Sequence, residues 1–275
     1  MGSSNHREEY ETLLVQYDRV ISACTAISQG ASGRKVNTQR DYYASILFVR
    51  LCAIGISLLI LCPGNRLSRT LFEHWDLTAI ATITRNLIDC FVTFFYLGDK
   101  AVSDCEWECR WNIFNLHDCL RGKKMFEHFD SEKEHIDKFS IAAADLRKQL
   151  EENDFFQKLP DAVQKESKRG RRILLQSRDE IIANLGMDID FFRGYYIFLS
   201  CHAHSYPLGF YRMGENNRGR GVENISDSHH VQSALEVATH VVKKCARNMI
   251  ERFPGADRDV SRECLESVLS DDEDN

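Results

Sequence analysis

The apolar run from Ala44 to Cys62, ASILFVRLCAIGISLLILC, constrains the fold of this chain more than any other segment. Its length approaches that of a membrane-spanning helix, but Arg50 lies inside it and leaves an uninterrupted apolar part only from Leu51 to Cys62. A bilayer needs about 20 apolar residues, an arginine is costly in lipid, and no basic flank here sets an orientation. We therefore expect a buried core helix and no membrane span.

The composition favours an ordinary soluble helical protein. Four prolines and fifteen glycines in 275 residues are few, and long alternating runs of β-branched residues are absent. The content of 43% hydrophobic and 28% charged residues is typical of a globular domain. The net charge of −6 gives no overall attraction to nucleic acid, so such binding would need a local basic patch.

The ten cysteines indicate a reducing compartment. Several of them, including Cys52, Cys90 and Cys245, lie within helical apolar patterns, where a thiol acts as a small hydrophobe. Residues 1–12 are polar and charged, which does not resemble a signal peptide. Disulfides belong mainly to oxidising compartments, so we expect a cytoplasmic protein with free thiols.

Apolar residues that recur with the 3.6-residue period predict an all-α fold, a helical bundle. We expect one domain over residues 1–269, with a charged helical excursion at about 127–172 and a disordered acidic tail at 270–275. The glycine- and arginine-containing segment 209–224 is predicted to be a mobile loop. Helices are expected at about 7–28, 37–62, 77–97, from 103, 177–184, 190–205 and, capped by Ser228, 228–250.

One predicted helix carries an unusual set of polar residues on an apolar background. In FFRGYYIFLSCHAHSYP, residues 191–207, Arg193, Ser200 and His204 share one face, with Tyr196 beside it. The face is about 16 Å long, so Arg193 and His204 cannot touch if the helix is straight, whereas Ser200 and His204 can pair. The carbonyl end of the helix then favours a protonated His204.

A second polar stripe lies on the predicted helix 77–97. Arg85 and Asp89 are four residues apart beside an apolar face, and an ion pair between them would lower the cost of burying both. This pair has two interpretations, a structural contact that fixes helix register or a part of a reactive site.

The two stripes together carry a resemblance. The segment TRNLIDCFVTFFYL, residues 84–97, is followed about a hundred residues later by YxxLSxxxH, here Tyr196 to His204. The chain resembles a family of uncharacterised bacterial all-α proteins related to the HEPN helical bundles, the higher-eukaryote and prokaryote nucleotide-binding domains. The resemblance covers about residues 37–250 and implies an HEPN-like bundle of long antiparallel helices that often forms a homodimer.

The resemblance also implies a chemistry, because catalytically active HEPN proteins cleave RNA without a metal or another cofactor. A histidine takes the proton of the ribose 2′-hydroxyl and an arginine stabilises the charged phosphorane, roles that suit an imidazole and a guanidinium. In the usual short pattern a histidine follows the arginine on the same helix, but here Arg85-Asn86 is followed by Cys90 at that position. Either His204 supplies the imidazole from another helix, or the catalytic site is absent.

The resemblance and the stripes give the candidate site. The expected catalytic residues are Arg85, Asp89, Ser200 and His204, and the expected substrate-binding residues are Arg193, Tyr196, His202, Arg218 and Arg220. The basic patches at 165–172 and in the loop 209–224 could contact phosphate, but the acidic balance of the chain favours a solvated surface for both. His229 and His230 are expected in solvent. No paired short cysteine spacing or HExxH motif is present, so we expect no metal.

Two functions fit these residues. The first is an intracellular RNA-cleaving or RNA-binding HEPN-like protein in a bacterial defence or toxin system. The second is a non-catalytic helical sensor or scaffold that binds a protein partner or a small ligand, with the same polar residues fixing helix register.

Overall fold

The computed structural model describes residues 2–68, 72–215 and 217–270, and the side chains from residue 6 onwards except that of Arg212. It confirms the all-α prediction. Over the described residues, pairing of β type is limited to a single bridge between Trp75 and Gly221. Residues 271–275 of the predicted disordered tail lie outside the described part.

Twelve α-helices and one 3-10 turn follow one another along the described chain. They are α1 Gly2–Ala31, α2 Gln39–Leu61, α3 Leu77–Gly98, α4 Asp104–His128, α5 Lys133–Glu152, α6 Asp154–Gln157, α7 Asp161–Lys168, α8 Arg178–Asn184, α9 Ile189–Ala203, α10 Pro207–Tyr211, the 3-10 turn Arg212–Gly214, α11 Ile225–Arg252 and α12 Arg262–Leu269.

Side-chain caps set several helix starts. Thr38 caps α2 by accepting from the amide of Asp41, and Ser103 caps α4 by accepting from the amide of Glu106, close to the predicted helix starts at about 37 and 103. The last long helix differs from the prediction. The N-cap is Asn224 and not Ser228, and its side chain accepts a hydrogen bond from the amide of Asp227. α11 therefore begins about one turn earlier than predicted, and Ser228 is buried inside it.

The described chain divides into two compact units. Unit 1 contains residues 1–98 and 182–275, and unit 2 contains residues 99–181. The boundary at 181 falls within α8. The expected single domain stays a prediction, because compactness does not decide whether the two units fold independently.

The core of unit 1 is built around α11 and α3. α11 packs against α1, α2 and α3, while α3 also packs against α2 and α9. Both helices are buried along much of their length, which follows from their continuous apolar stripes. The buried Tyr17 donates its hydroxyl hydrogen to the carbonyl of Gly55, at 3.0 Å, so a phenol inside the core keeps a partner.

A buried ion pair joins three helix ends in unit 1. Arg252 Nη1 at the end of α11 lies 2.9 Å from Asp41 Oδ1 at the start of α2, and the two side chains are only 3% and 9% exposed. Arg252 Nη2 also donates to the carbonyl of Gly98, the last residue of α3. The two groups therefore compensate each other's burial.

Unit 2 has a small core of its own. α4 packs against α5, and α6 and α7 pack against α4. The buried residues of this core are Cys109, Ile113, Leu116, Ala143, Leu150 and Phe156. The charged segment predicted at 127–172 is therefore the greater part of a packed helical unit and not only a surface excursion.

Helices α2 and α3 are long and apolar enough to span a membrane by length and composition alone. In the structure, 61% of the most apolar window of α3 and 44% of that of α2 are buried against other helices. Core burial accounts for much of this apolar surface. On α2, however, Tyr42, Ile46, Val49 and Ile60 remain exposed.

Candidate functional site

Arg85 and His204 meet at the contact between α3 and the end of α9. Arg85 Nη1 lies 3.2 Å from His204 Nε2, although 119 positions separate the two residues in the sequence. Arg85 is partly buried, and its Nε has no hydrogen-bond partner in the described chain. His204 is exposed. The guanidinium and the imidazole thus converge at a place that solvent reaches on one side.

The chemistry of this pair sets the direction of the contact. A guanidinium only donates, so Nε2 of His204 is the acceptor in a hydrogen bond with Arg85. His204 is also the C-cap residue of α9, at the carbonyl end of the helix.

Tyr196 connects the same two helices beside this pair. Its hydroxyl donates to Asp89 Oδ1 at 2.9 Å, and the guanidinium carbon of Arg85 lies 5.0 Å from the centre of its ring. Burial and then the charge of Asp89 raise the pKa of Tyr196, so the phenol stays protonated and keeps donating. Tyr196 thereby holds α3 and α9 in one register and provides a face against Arg85.

Two pairings that the sequence allows are absent from the described contacts. Asp89 accepts from Tyr196 and Arg85 contacts His204, so an Arg85–Asp89 ion pair is absent from the described contacts. Ser200 Oγ donates to the main-chain carbonyl of Tyr196 at 2.7 Å, one turn back on α9, rather than pairing with His204. Arg85 therefore contacts the imidazole of His204 and not the carboxylate of Asp89. Ser200 donates to a main-chain carbonyl of its own helix and not to His204.

Two predicted substrate-binding arginines lie elsewhere. Arg193 is 52% exposed and forms an ion pair with Asp190 on the same helix, at 3.2 Å. Arg220 is exposed, and its Nε donates to the carbonyl of Met213 at 3.4 Å. The structure does not join either side chain to Arg85 or His204 among the described contacts.

His202 and Arg218 line a cavity of about 270 Å³ in unit 1. The other lining residues are Leu77, Thr78, Phe198, Leu208, Gly209, Met213, Gly219, Asp227 and His230. On α3, Thr78 in the wall of this cavity precedes Arg85 by seven residues, two helical turns on the same face, a rise of about 10 Å. On α9, His202 and His204 are two residues apart and so point in different directions.

The polar groups of this cavity are incompletely paired. Arg218 Nη2 lies 2.9 Å from His230 Nε2, but Arg218 Nε is buried without a partner. Asp227 is fully buried, and its Oδ2 accepts from the amide of Gly219 and from Asn224 Nδ2, both at 2.6 Å. Its other oxygen, Oδ1, has no partner among the described groups. Leaving a buried carboxylate oxygen without a hydrogen bond costs free energy, so such an atom points to a partner from outside the chain, such as a ligand.

Both cavity histidines are held neutral. Burial, and then the charge of Arg218, lower the pKa of His202 and that of His230. The hydrogen bond agrees with this, because Arg218 can only donate and so His230 must accept. Each ring also packs against Phe198, with ring centroids 4.7 Å apart.

The sequence pattern did not reveal Asp227 and His230 as site residues. His229 is exposed as expected, but His230 is partly buried. The signal lay in the helix period. When the buried stripe of Val231 and Ala234 is extended back by one turn, Asp227 falls on the inner face of α11, and His230 follows it three residues later. The glycine at 219, with a φ of 63°, lets the loop present its amide to Asp227.

The described residues contain no group of three or more His, Cys, Asp or Glu arranged to hold a metal ion. The cysteines of the chain are free thiols, five of them buried in helix interiors: Cys24, Cys52, Cys90, Cys109 and Cys245.

Comparison of the chain with curated proteins and with solved structures gives no match. A family model does match, over residues 41–220, and its description is a family of unknown function. The matched region includes Arg85, Asp89, Tyr196 and His204, whereas Asp227 and His230 follow it. Because the matched residues make up more than half of the chain, the chain belongs to the DUF5677 family.

Proposed function

We propose that this protein is a metal-independent endoribonuclease with an HEPN-like bundle, in which Arg85 and His204 are the reacting pair. The observation that carries the proposal is the 3.2 Å contact between Arg85 Nη1 and His204 Nε2 at an exposed helix end. A neutral imidazole beside a guanidinium supplies a base and an anion-stabilising group to the same substrate.

The proposed step is an internal transfer at phosphorus. His204 Nε2 takes the proton of a ribose 2′-hydroxyl, the 2′-oxygen forms a bond to phosphorus, and the bond to the 5′-oxygen breaks. The leaving 5′-oxygen takes a proton from water, and the products are a 2′,3′-cyclic phosphate and a 5′-hydroxyl. The C-terminal end of α9 stabilises the imidazolium formed in this step.

Substrate binding has to release the base before it can act. Arg85 has five donors, of which Nη1 points at His204 and Nε is unpartnered. A phosphate is a stronger acceptor for a guanidinium than a neutral imidazole, because both partners are charged. A bound phosphodiester therefore draws Arg85 to itself and frees His204 Nε2, while Tyr196 and Asp89 keep the two helices in place.

The test is cleavage of a mixed-sequence single-stranded RNA in the presence of a chelator. We expect products ending in a 2′,3′-cyclic phosphate, no cleavage of the same sequence as DNA, and loss of activity in His204→Ala. His229→Ala is the matched control, because it removes another exposed histidine. No cleavage by the wild type, or full activity in His204→Ala, would contradict the proposal.

A non-catalytic sensor or scaffold is the second candidate, favoured by one observation. Tyr196 and Asp89 form a hydrogen bond that fixes α3 against α9 whether or not chemistry occurs there. If the protein is such a sensor or scaffold, His204→Ala lowers its thermal stability and leaves binding of the protein partner or small ligand intact.

The cellular setting is also part of the proposal. We infer a cytoplasmic bacterial protein of a defence or toxin system, acting as a homodimer on RNA. The free cysteines support the cytoplasmic location, and the resemblance supports the action on RNA and the homodimer. The exposed apolar residues of α2 offer one face for a second copy. Light scattering at micromolar concentration tests the dimer independently of activity.

A further inference from the structure

The cavity lined by Thr78, His202 and Arg218, two turns of α3 from Arg85, has the properties of a selective site and not of a packing defect. Asp227, fully buried, presents Oδ1 without a partner, and Arg218 presents an unpartnered Nε. A packing defect is lined by apolar groups, whereas two of the residues that line this cavity, Asp227 and Arg218, carry a buried acceptor and a buried donor without partners.

The size and the lining of this cavity limit its ligand to one planar ring system, such as two fused rings. The volume of about 270 Å³ lies just below the range of about 300–1,000 Å³ that is typical of sites for small molecules. Phe198 packs against His202 and His230, so the wall contains a group of aromatic rings. Because both imidazoles are held neutral, Arg218 and Asp227 are the charged groups among the lining residues.

We propose that this cavity binds the guanine base of the RNA next to the phosphate that is cleaved. Guanine carries donors, N1–H and the N2 amino group, that suit the free carboxylate oxygen of Asp227. It also carries acceptors, O6 and N7, that suit the guanidinium of Arg218. Single-stranded RNA is commonly recognised in this way, through base edges and stacking on aromatic rings.

The other bases fit this arrangement less well. Adenine lacks an N1–H and the N2 amino group, so it offers the carboxylate only its exocyclic amine. Uracil has one imide N–H and an acceptor beside it, but its single ring leaves part of the cavity empty. Guanine alone combines the larger ring system with two adjacent donors and two acceptors.

The inference takes RNA as the substrate from the proposed function, but it is tested by binding alone. Calorimetric titration of the full chain with guanosine, inosine, adenosine and uridine needs no variant. We expect guanosine to bind most tightly, and inosine, which lacks the N2 amino group, to bind about tenfold or more weakly. Equal binding of guanosine and uridine, or of guanosine and inosine, would overturn the inference.

Asp227→Asn then tests the residue itself. An asparagine can keep its oxygen toward Gly219 and Asn224 and places an NH₂ group where Oδ1 meets the base, so guanosine affinity should fall on the order of 10- to 100-fold. Glu236→Gln, at an exposed acid outside this cavity, is the matched control and should leave the affinity unchanged. Unchanged affinity in Asp227→Asn overturns the inference. If that variant does not fold, the order of the four nucleosides on the wild type still decides.

The two proposals can fail separately. Selective guanosine binding by a wild-type protein that never cleaves RNA overturns the proposed function and supports the base pocket. Cleavage without any preference for guanosine overturns the base pocket and leaves the proposed function standing.

Discussion

The hydroxyl of Tyr196 donates to Asp89 Oδ1 at 2.9 Å and so ties α9 to α3 next to Arg85. Removing it in Tyr196→Phe should lower the free energy of unfolding by about 1 kcal/mol, while the ring stays against Arg85. A double-mutant cycle with Asp89→Asn, measured by urea unfolding, should give a coupling energy of similar size. Strictly additive effects of the two substitutions would contradict this link.

Arg85 should not be replaceable by lysine. A guanidinium offers a planar fork to phosphate, whereas an ammonium is a point charge, so Arg85→Lys should lose about 10-fold or more in RNA cleavage and Arg85→Ala about 100- to 1,000-fold. Initial rates on a labelled RNA measure both. Arg50→Lys, at an exposed position on α2, should keep full activity.

Unit 1 should lose stability in mild acid because of His202 and His230. Their folded-state pKa values are lowered from 6.5, so below about pH 6.5 the unfolded chain binds protons that the folded chain does not. The stability is complete above that pH and falls as the pH drops through the folded pKa values. Urea unfolding at pH 7.5 and 5.5 should show a smaller loss in His202→Gln/His230→Gln than in the wild type. The same replacement of His229 should not reduce the loss.

Breaking the buried Asp41–Arg252 pair should be strongly destabilising. Asp41→Asn takes the carboxylate away from the buried guanidinium of Arg252, and breaking a buried pair in this way costs about 3–5 kcal/mol. The exposed pair of Arg66 and Asp18 is the control, because Arg66 is 61% exposed and such pairs contribute about 0–1 kcal/mol. Equal losses in Asp41→Asn and Asp18→Asn, by urea unfolding, would contradict this account.

Two glycine substitutions should have opposite effects. A Cβ at Gly30 in α1 would overlap the main-chain carbonyl of Ala256, so Gly30→Ala should destabilise by about 1–3 kcal/mol. Gly194 in α9 has open space around it, and Gly194→Ala should stabilise the helix by up to about 1 kcal/mol. Melting temperatures that move in the same direction for both variants would contradict the packing of α1.

Much of the architecture could be predicted because local signals agree with it. The starts of α2 and α4 follow from Thr38 and Ser103, and the apolar period of residues 231–250 identifies the core face of α11. From the sequence, the meeting of Arg85 and His204 was one of two alternatives. Periodicity alone gives each helix its inner face, but it does not say which helices touch.

The remaining features depend on competition between partners in three dimensions. From the sequence, Asp89 could pair with Arg85 one turn away, but in the fold the phenol of Tyr196, 107 positions later, reaches it. Likewise, Asp227 and His230 become cavity residues only because the loop at Gly219 folds back onto α11. Such contacts join distant segments, and no local spacing encodes them.

Unit 1 is discontinuous in the chain, since residues 99–181 separate its two parts. During synthesis on a ribosome, α1, α2 and α3 therefore emerge long before α11, the helix that covers them. Until about 250 residues have been made, their apolar faces lack the surface that shields them in the finished protein. Unit 2 is encoded without interruption, and all of its core residues are made before α11 begins. The order of synthesis therefore separates the first three helices from α11 by the whole of unit 2.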